Sequence, residues 1–178
     1  KSDTNGYNSI NIVFFIDSSF GWAVSPVHHF LKTTDGSVRW ENAPIDINNT
    51  VFHEYVKVQF INENTGWILN GARVAKTTNS GLNWFTIYDT ISYSRIFNDM
   101  HFFDVNNAIV SSGSFLLRTS NGGNSWYRQY IDFQDRSIKK IKFMNNSTGW
   151  LVVNASFSLP SAVYKTTNSG QNWISIFN

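Results

Sequence analysis

Cysteine is absent from the 178 residues, so disulfides and thiolate metal sites are excluded. The absence does not fix a compartment. Charge is sparse, at 15% of residues, with a formal net charge of +2. No Lys/Arg run is long enough to serve as an electrostatic footprint, which excludes nucleic acid as the expected partner. The densest basic stretch, "RSIKKIK" at 136–142, interleaves its lysines with Ile138 and Ile141 and reads as the wet face of a strand. No apolar stretch reaches the ~18 residues that a bilayer span needs. The first residue is Lys1 rather than Met and no signal peptide is visible, so a processed form or an excised piece of a longer chain is expected. No segment carries a helical stripe of apolar residues. Hydrophobic content is nevertheless 42%, which makes the chain globular rather than disordered.

What is present in abundance is self-similarity. "KTTDGSVRW" (32–40), "KTTNSGLNW" (76–84), "RTSNGGNSW" (118–126) and "KTTNSGQNW" (165–173) are versions of one string. Their tryptophans, Trp40, Trp84, Trp126 and Trp173, are separated by 44, 42 and 47 residues. A second motif, F-x-[DN]-x-x-x-G-W, precedes each box. It supplies Phe15, Asp17, Gly21 and Trp22, then Phe60, Asn62, Gly66 and Trp67, then Phe143, Asn145, Gly149 and Trp150. The third copy is degraded but in register, with Phe102, Asp104, Ala108 and Ile109. Between the motifs lie short runs rich in β-branched and aromatic residues, and "VKVQF" at 56–60 sets Val56, Val58 and Phe60 against Lys57 and Gln59. Several short strands per repeat, with turn signals between them, define an all-β chain.

Each repeat parses as four strands. The first ends at the motif Phe, the second begins at Gly-Trp, the third runs into Lys-Thr-Thr, and the fourth starts at the box Trp. Four-stranded sheets repeated radially make a β-propeller. The expected blades are about 10–48, 49–93, 94–133 and 134–178, after a lead at 1–9. No Trp-Asp dipeptide closes a strand, which argues against the WD40 type, and the double glycine of kelch repeats is missing.

The box is expected to be a clasp between strands three and four. Asp35, Asn79, Asn121 and Asn168 offer a short acceptor to the turn's own amides. Gly81, Gly123 and Gly170 stand where the chain needs positive φ. Thr33, Thr77, Thr119 and Thr166 add a hydroxyl bond. The Trp is expected to fold beneath the turn; burying ~150–250 Å² of indole is worth roughly 4–6 kcal/mol before entropy is subtracted. The first copy has Gly36 one place early and Ser37 where the others have Gly; either the turn changes type or the loop is adapted, and the adapted loop is the expectation.

These residues resemble the Asp-box, or BNR repeat, S/T-x-D/N-x-G-x-x-W. With the upstream Gly-Trp added, residues 10–178 are similar to the photosystem II stability and assembly factor-like propellers. That resemblance implies full propellers of about six to seven blades, so four repeats would be a piece of a larger ring, a smaller propeller, or one of two chains completing a ring. It is specific for fold and weak for function.

Sialidases also carry Asp-boxes, which opens a glycosidase reading. It would need an arginine cluster, a tyrosine nucleophile with a glutamate partner and an acidic proton donor. Glutamates are confined to Glu41, Glu54 and Glu63. The arginines are Arg39, Arg73, Arg95, Arg118, Arg128 and Arg136. Arg118 occupies the box Lys position and reads as structural, and the Glu54-Tyr55 neighbours read as chance. Of His28, His29, His53 and His101, the adjacent pair would point to opposite faces of a strand, which disfavours a metal site. The boxes lack the carboxylate series of a Ca²⁺ loop. The two motifs account for all seven tryptophans. Tyr88, Tyr93 and Tyr130, expected in blade-to-blade segments, and the insertion "NASFSLPSA" at 154–162 remain as partner contacts. The resulting expectation is a non-enzymatic propeller scaffold without metal or cofactor, presenting loops to a protein. The alternative is a carbohydrate-binding or sialidase-like propeller. The Asn48-Asn49-Thr50 sequon and the Asn-rich composition point to an extracellular or envelope setting.

Overall fold

A computed structural model describes residues 10–25, 29–44, 55–90 and 97–177. The lead at 1–9, His28, the sequon at 48–50, His53, Glu54, Tyr93 and Arg95 lie outside the described residues. Among the described residues every regular element is a strand. The first sheet holds β1 (Ile12–Phe15), β2 (Gly21–Val24), β3 (His29–Thr33) and β4 (Glu41–Pro44). The second holds β5 (Tyr55–Phe60), β6 (Gly66–Asn70), β7 (Arg73–Thr77) and β8 (Phe85–Asp89). The third holds β9 (Phe97–Phe102), β10 (Ala108–Ser112), β11 (Phe115–Thr119) and β12 (Tyr127–Tyr130). The fourth holds β13 (Ile138–Phe143), β14 (Gly149–Val153), β15 (Ala162–Thr166) and β16 (Ile174–Phe177). Each sheet is antiparallel with its strands in chain order, the up-and-down blade of a propeller.

The motif landmarks coincide with strand ends. First strands stop at Phe15, Phe60, Phe102 and Phe143, and third strands stop at the box threonines. Fourth strands begin one residue after the box Trp, not on it, because that Trp still belongs to the turn. Register corrects one reading. A bulge between Tyr55 and Lys57 shifts the pleat of β5, so Tyr55 is buried in place of Val56, which is half-buried. The same kind of bulge at Ile138/Lys140 produces two successive exposed lysines in β13.

The chain divides into two compact units, residues 1–89 and 90–178, each holding two blades. In the first, Trp22, Val24, Phe30 and Ala43 of blade one pack with Tyr55, Val58, Phe60 and Trp84 of blade two. In the second, Ile109 and Leu116 of blade three pack with Ile141, Phe143 and Leu151 of blade four.

Candidate functional site

Two short loops on each blade set the geometry, and each is closed by its own side chains. In the loop between first and second strands, a carboxylate or amide oxygen accepts two amides. Asp17 Oδ1 takes those of Ser19 and Phe20 at 2.7 and 2.8 Å. Asn62, Asp104 and Asn145 repeat the bond pair at 2.7–3.0 Å.

In the box, each Thr hydroxyl donates to the Asn/Asp oxygen and accepts the amide four residues on, at 2.9–3.0 Å. That Asn/Asp oxygen in turn accepts the amide four residues beyond itself, at 2.9 Å in every copy. The box then ties itself to the other loop: the amides of Gly36, Ser80, Gly122 and Ser169 each donate at 2.9 Å to the carbonyls of Ser19, Asn64, Asn106 and Ser147.

The first copy does not change turn type. Gly36 and Ser37 have φ of 70° and 73°, matching the positive pairs Ser80–Gly81, Gly122–Gly123 and Ser169–Gly170. What differs is the surroundings. A Cβ on Gly81 would lie 2.4 Å from the Phe30 ring of the preceding blade, and one on Gly170 would lie 2.9 Å from Ile109. Ser37 is exposed.

The glycine of Gly-Trp has a different task. Its backbone carries the motif Phe ring, and a Cβ on Gly21, Gly66 or Gly149 would stand 2.4–2.5 Å from Phe15, Phe60 or Phe143. Each of those rings meets its own box Trp edge-on at 6.0 Å. The expectation of uniformly buried box tryptophans is corrected: Trp84 is buried, whereas Trp40, Trp126 and Trp173 are half-buried. Trp84 is covered by Phe30 of the preceding blade, edge-to-face at 5.4 Å; the smaller Leu116 stands at that position before Trp173.

In unit 1 the Gly-Trp indole of Trp22 forms the joint between blades. Trp22 is 0% exposed. Its ring stacks on Phe60 of blade two at 3.6 Å and 3°, and its Nε1 donates to the Ser80 carbonyl at 3.2 Å. In blade three, Ile109 stands in place of the Trp, and its two cross-strand neighbours complete the joint. His101 stacks on Phe143 at 4.9 Å. Arg118 Nη2 donates to the Ser169 carbonyl at 2.8 Å, the acceptor equivalent to Ser80. Gln129 bonds Arg118 Nη1 at 3.0 Å and donates to the Gly170 and Gln171 carbonyls. Arg118 and His101 are thus joint residues.

Beside each joint runs a groove. In the first unit Lys32, Glu41 and Asn42 face Asn64, Ser80 and Leu82 across about 370 Å³. In the second, Asp104, Arg118 and Tyr127 face Asn146, Ser169 and Gln171 across about 370 Å³. One carboxylate lines each groove, Glu41 in the first and Asp104 in the second. Burial would push Asp104 up, but bonds from the Asn107 side chain and the Asn106 and Asn107 amides outweigh it and hold it below 3.8. Asp104 is therefore an anionic acceptor at neutral pH and not a proton donor.

Other candidates fall elsewhere. Tyr55 is buried, and desolvation pushes its hydroxyl up to about 12. Tyr88 lies in β8 and exposed Tyr130 ends β12, on outer strands and not in the blade-to-blade segments expected for them. The insertion is held at its base by buried Arg136, which donates to Pro160 O at 3.1 Å and to Tyr164 Oη at 2.8 Å, and it presents fully exposed Phe157. Arg73 pairs with Asp89 at 2.8 Å. Buried Asp99 was missed from sequence; it accepts the amides of Met100 and, across the joint, Ile141 at 2.9 Å. Among the described residues no group of three His, Asp or Glu converges for a metal, and no helix is long and apolar enough to cross a membrane.

Motif loops, blade topology and joints together define an Asp-box β-propeller segment. The family model for photosynthesis system II assembly factor YCF48 matches residues 3–91, and the chain belongs to that family. No curated protein sequence matches it. Among solved structures it is similar to an ancestral GH74 enzyme (TM-score 0.68, 17% identity, 92% of this chain and 23% of that one). It is also similar to YCF48 bound to D1 peptide (0.59, 15%, 94% and 82%) and to YCF48 from Cyanidioschyzon merolae (0.63, 16%, 92% and 52%). The chain thus spans 23% of the first of these. At such identities the likeness establishes the fold alone.

Proposed function

We propose that this chain is a non-enzymatic propeller segment that holds an extended segment of a protein partner, as an assembly factor would. The carrying observation is the groove of the second unit. It offers exposed Tyr127, the guanidinium of Arg118, the Gln171 side chain and anionic Asp104 along one joint. That set suits a peptide, whose amides need acceptors and whose side chains need an aromatic surface. Family membership and the peptide-bound YCF48 structure support the reading.

The carbohydrate alternative needs an acid and a base facing one another. Each groove has a single carboxylate lining it, and Asp104 is held in its ionised form. The reading extends to an extracellular or envelope setting, supported by the Asn-rich sequence, and cell fractionation is its check.

Peptides selected from a displayed library on the whole chain test the groove. Tyr127→Ala is expected to weaken the selected peptides about tenfold, since aromatic anchors carry much of such binding. Unchanged affinity in that variant, or release of sugar from a glycoside panel by the wild-type chain, would refute the proposal.

A further inference from the structure

One exchange between repeats decides which groove keeps a free cation. Lys32 and Arg118 hold the same place, cross-strand from Trp22 and from Ile109. In the second unit Ile109 has no donor for the box carbonyl. Arg118 supplies it, and its guanidinium is committed to Ser169 O and Gln129 Oε1. In the first unit the Trp22 indole bonds the equivalent Ser80 carbonyl, so the cation is not needed there. The Lys32 ammonium lies 6.0 Å from the Phe20 ring and makes no hydrogen bond or ion pair among the described residues.

Glu41 stands directly opposite Lys32 in the β3–β4 register, on the same face, and is exposed. Opposite charges so placed attract, yet among the described residues no ion pair joins these two. Both line the first unit's groove, and Leu82, 60% exposed, lies on its far wall. The groove thus offers a donor and an acceptor side by side, next to an apolar surface. An extended peptide turns the N–H and C=O of one residue toward the same side, with side chains alternating across it. Lys32 suits the carbonyl, Glu41 the amide, and Leu82 an apolar side chain.

We propose that this groove is a second peptide subsite, one that reads main chain and a single apolar side chain, whereas the groove of the second unit reads through Tyr127. Its ligand is an extended segment carrying an apolar residue and little charge. A charged side chain of either sign meets a like charge there, from Glu41 or from Lys32. The inference rests on the peptide reading of the second unit for the class of partner, but its residues are different.

Displayed peptides selected on the whole chain carrying Tyr127→Ala test it, because that variant weakens the other groove. Far-UV circular dichroism checks the folding of each variant. Selection is expected to yield peptides with an apolar residue and few charges. Lys32→Met, which keeps the stem, and Leu82→Ser should each weaken them about tenfold. Methylating the peptide's amide nitrogens one at a time should reveal one position that costs about tenfold with Glu41 present and nothing further in Glu41→Ala. Failure to select any peptide on the Tyr127→Ala chain would overturn the proposal. So would peptides indifferent to Lys32→Met and Leu82→Ser, or the lack of any methylation site coupled to Glu41. None of these outcomes bears on the second unit, whose reading depends on peptides selected on the wild-type chain and their response to Tyr127→Ala.

Discussion

At the scale of single residues, the box is one hydrogen-bond circuit repeated with two spellings. Thr77 is buried, donates one bond and accepts the Gly81 amide. Thr77→Val, which keeps the shape, is expected to cost about 1–3 kcal/mol in chemical denaturation, because a buried amide loses its acceptor. The glycine has a separable role. Ser37→Gly is expected to raise stability by up to about 1 kcal/mol by relieving a left-handed serine. Gly81→Ser is expected to lower it by about 2–4 kcal/mol, adding that strain to a collision with Phe30. Equal and opposite effects would show that the neighbouring blade is irrelevant. Asp35 gives the first box a titration that the Asn boxes lack. The Arg39 amide bond is the main influence holding its carboxyl below 3.8, with the Thr33 bond adding and desolvation opposing. A depressed folded-state pKa contributes stability above the unfolded value and loses it as pH falls through the folded one. Acid denaturation followed below pH 3.8 should therefore be less steep in Asp35→Asn, which gives the first box the Asn that stands in the others. An unchanged acid profile would remove Asp35 from the account.

At the scale of elements, blades are joined by residues far apart in sequence, and this divides what was legible from what was not. Both loop motifs could be read because their bonds span at most four residues within a loop, so spacing alone carries them. Strand ends followed from the same landmarks. The joint could not be read: Trp22 Nε1 reaches a carbonyl 58 residues away. The third repeat looked degraded for the same reason. Only the strand register reveals that His101, Ile109 and Arg118 are neighbours sharing the work of one Trp. Val56 was misread as matching Val58 and Phe60 because a bulge is invisible to alternation. The joint predicts how damage spreads. Trp22→Ala is expected to cost about 3–5 kcal/mol and to weaken amide protection in both blades of the first unit, since the indole serves both. Arg118→Lys is expected to cost about 1–2 kcal/mol, since a single ammonium cannot keep both the Ser169 and the Gln129 bonds.

At the scale of the whole molecule, the question is how a chain with little charge and much exposed apolar surface avoids open-ended association. Each blade ends in an outer strand whose free edge is a template for pairing. The first three outer strands carry a guard: Glu41 in β4, Asp89 in β8, Arg128 in β12. The fourth, "ISIF", has none, and Ile174, Ile176 and Phe177 are all exposed. Edge pairing through β16 leaves a new edge each time and grows without limit. Ile176 is the residue passed over where the β15–β16 register shifts, and it pairs with neither Val163 nor Tyr164. Ile176→Lys is therefore expected to suppress turbidity on heating while leaving the unfolding midpoint and the sedimenting species at room temperature unchanged. If turbidity persists with the lysine in place, the β16 edge is not the growing end.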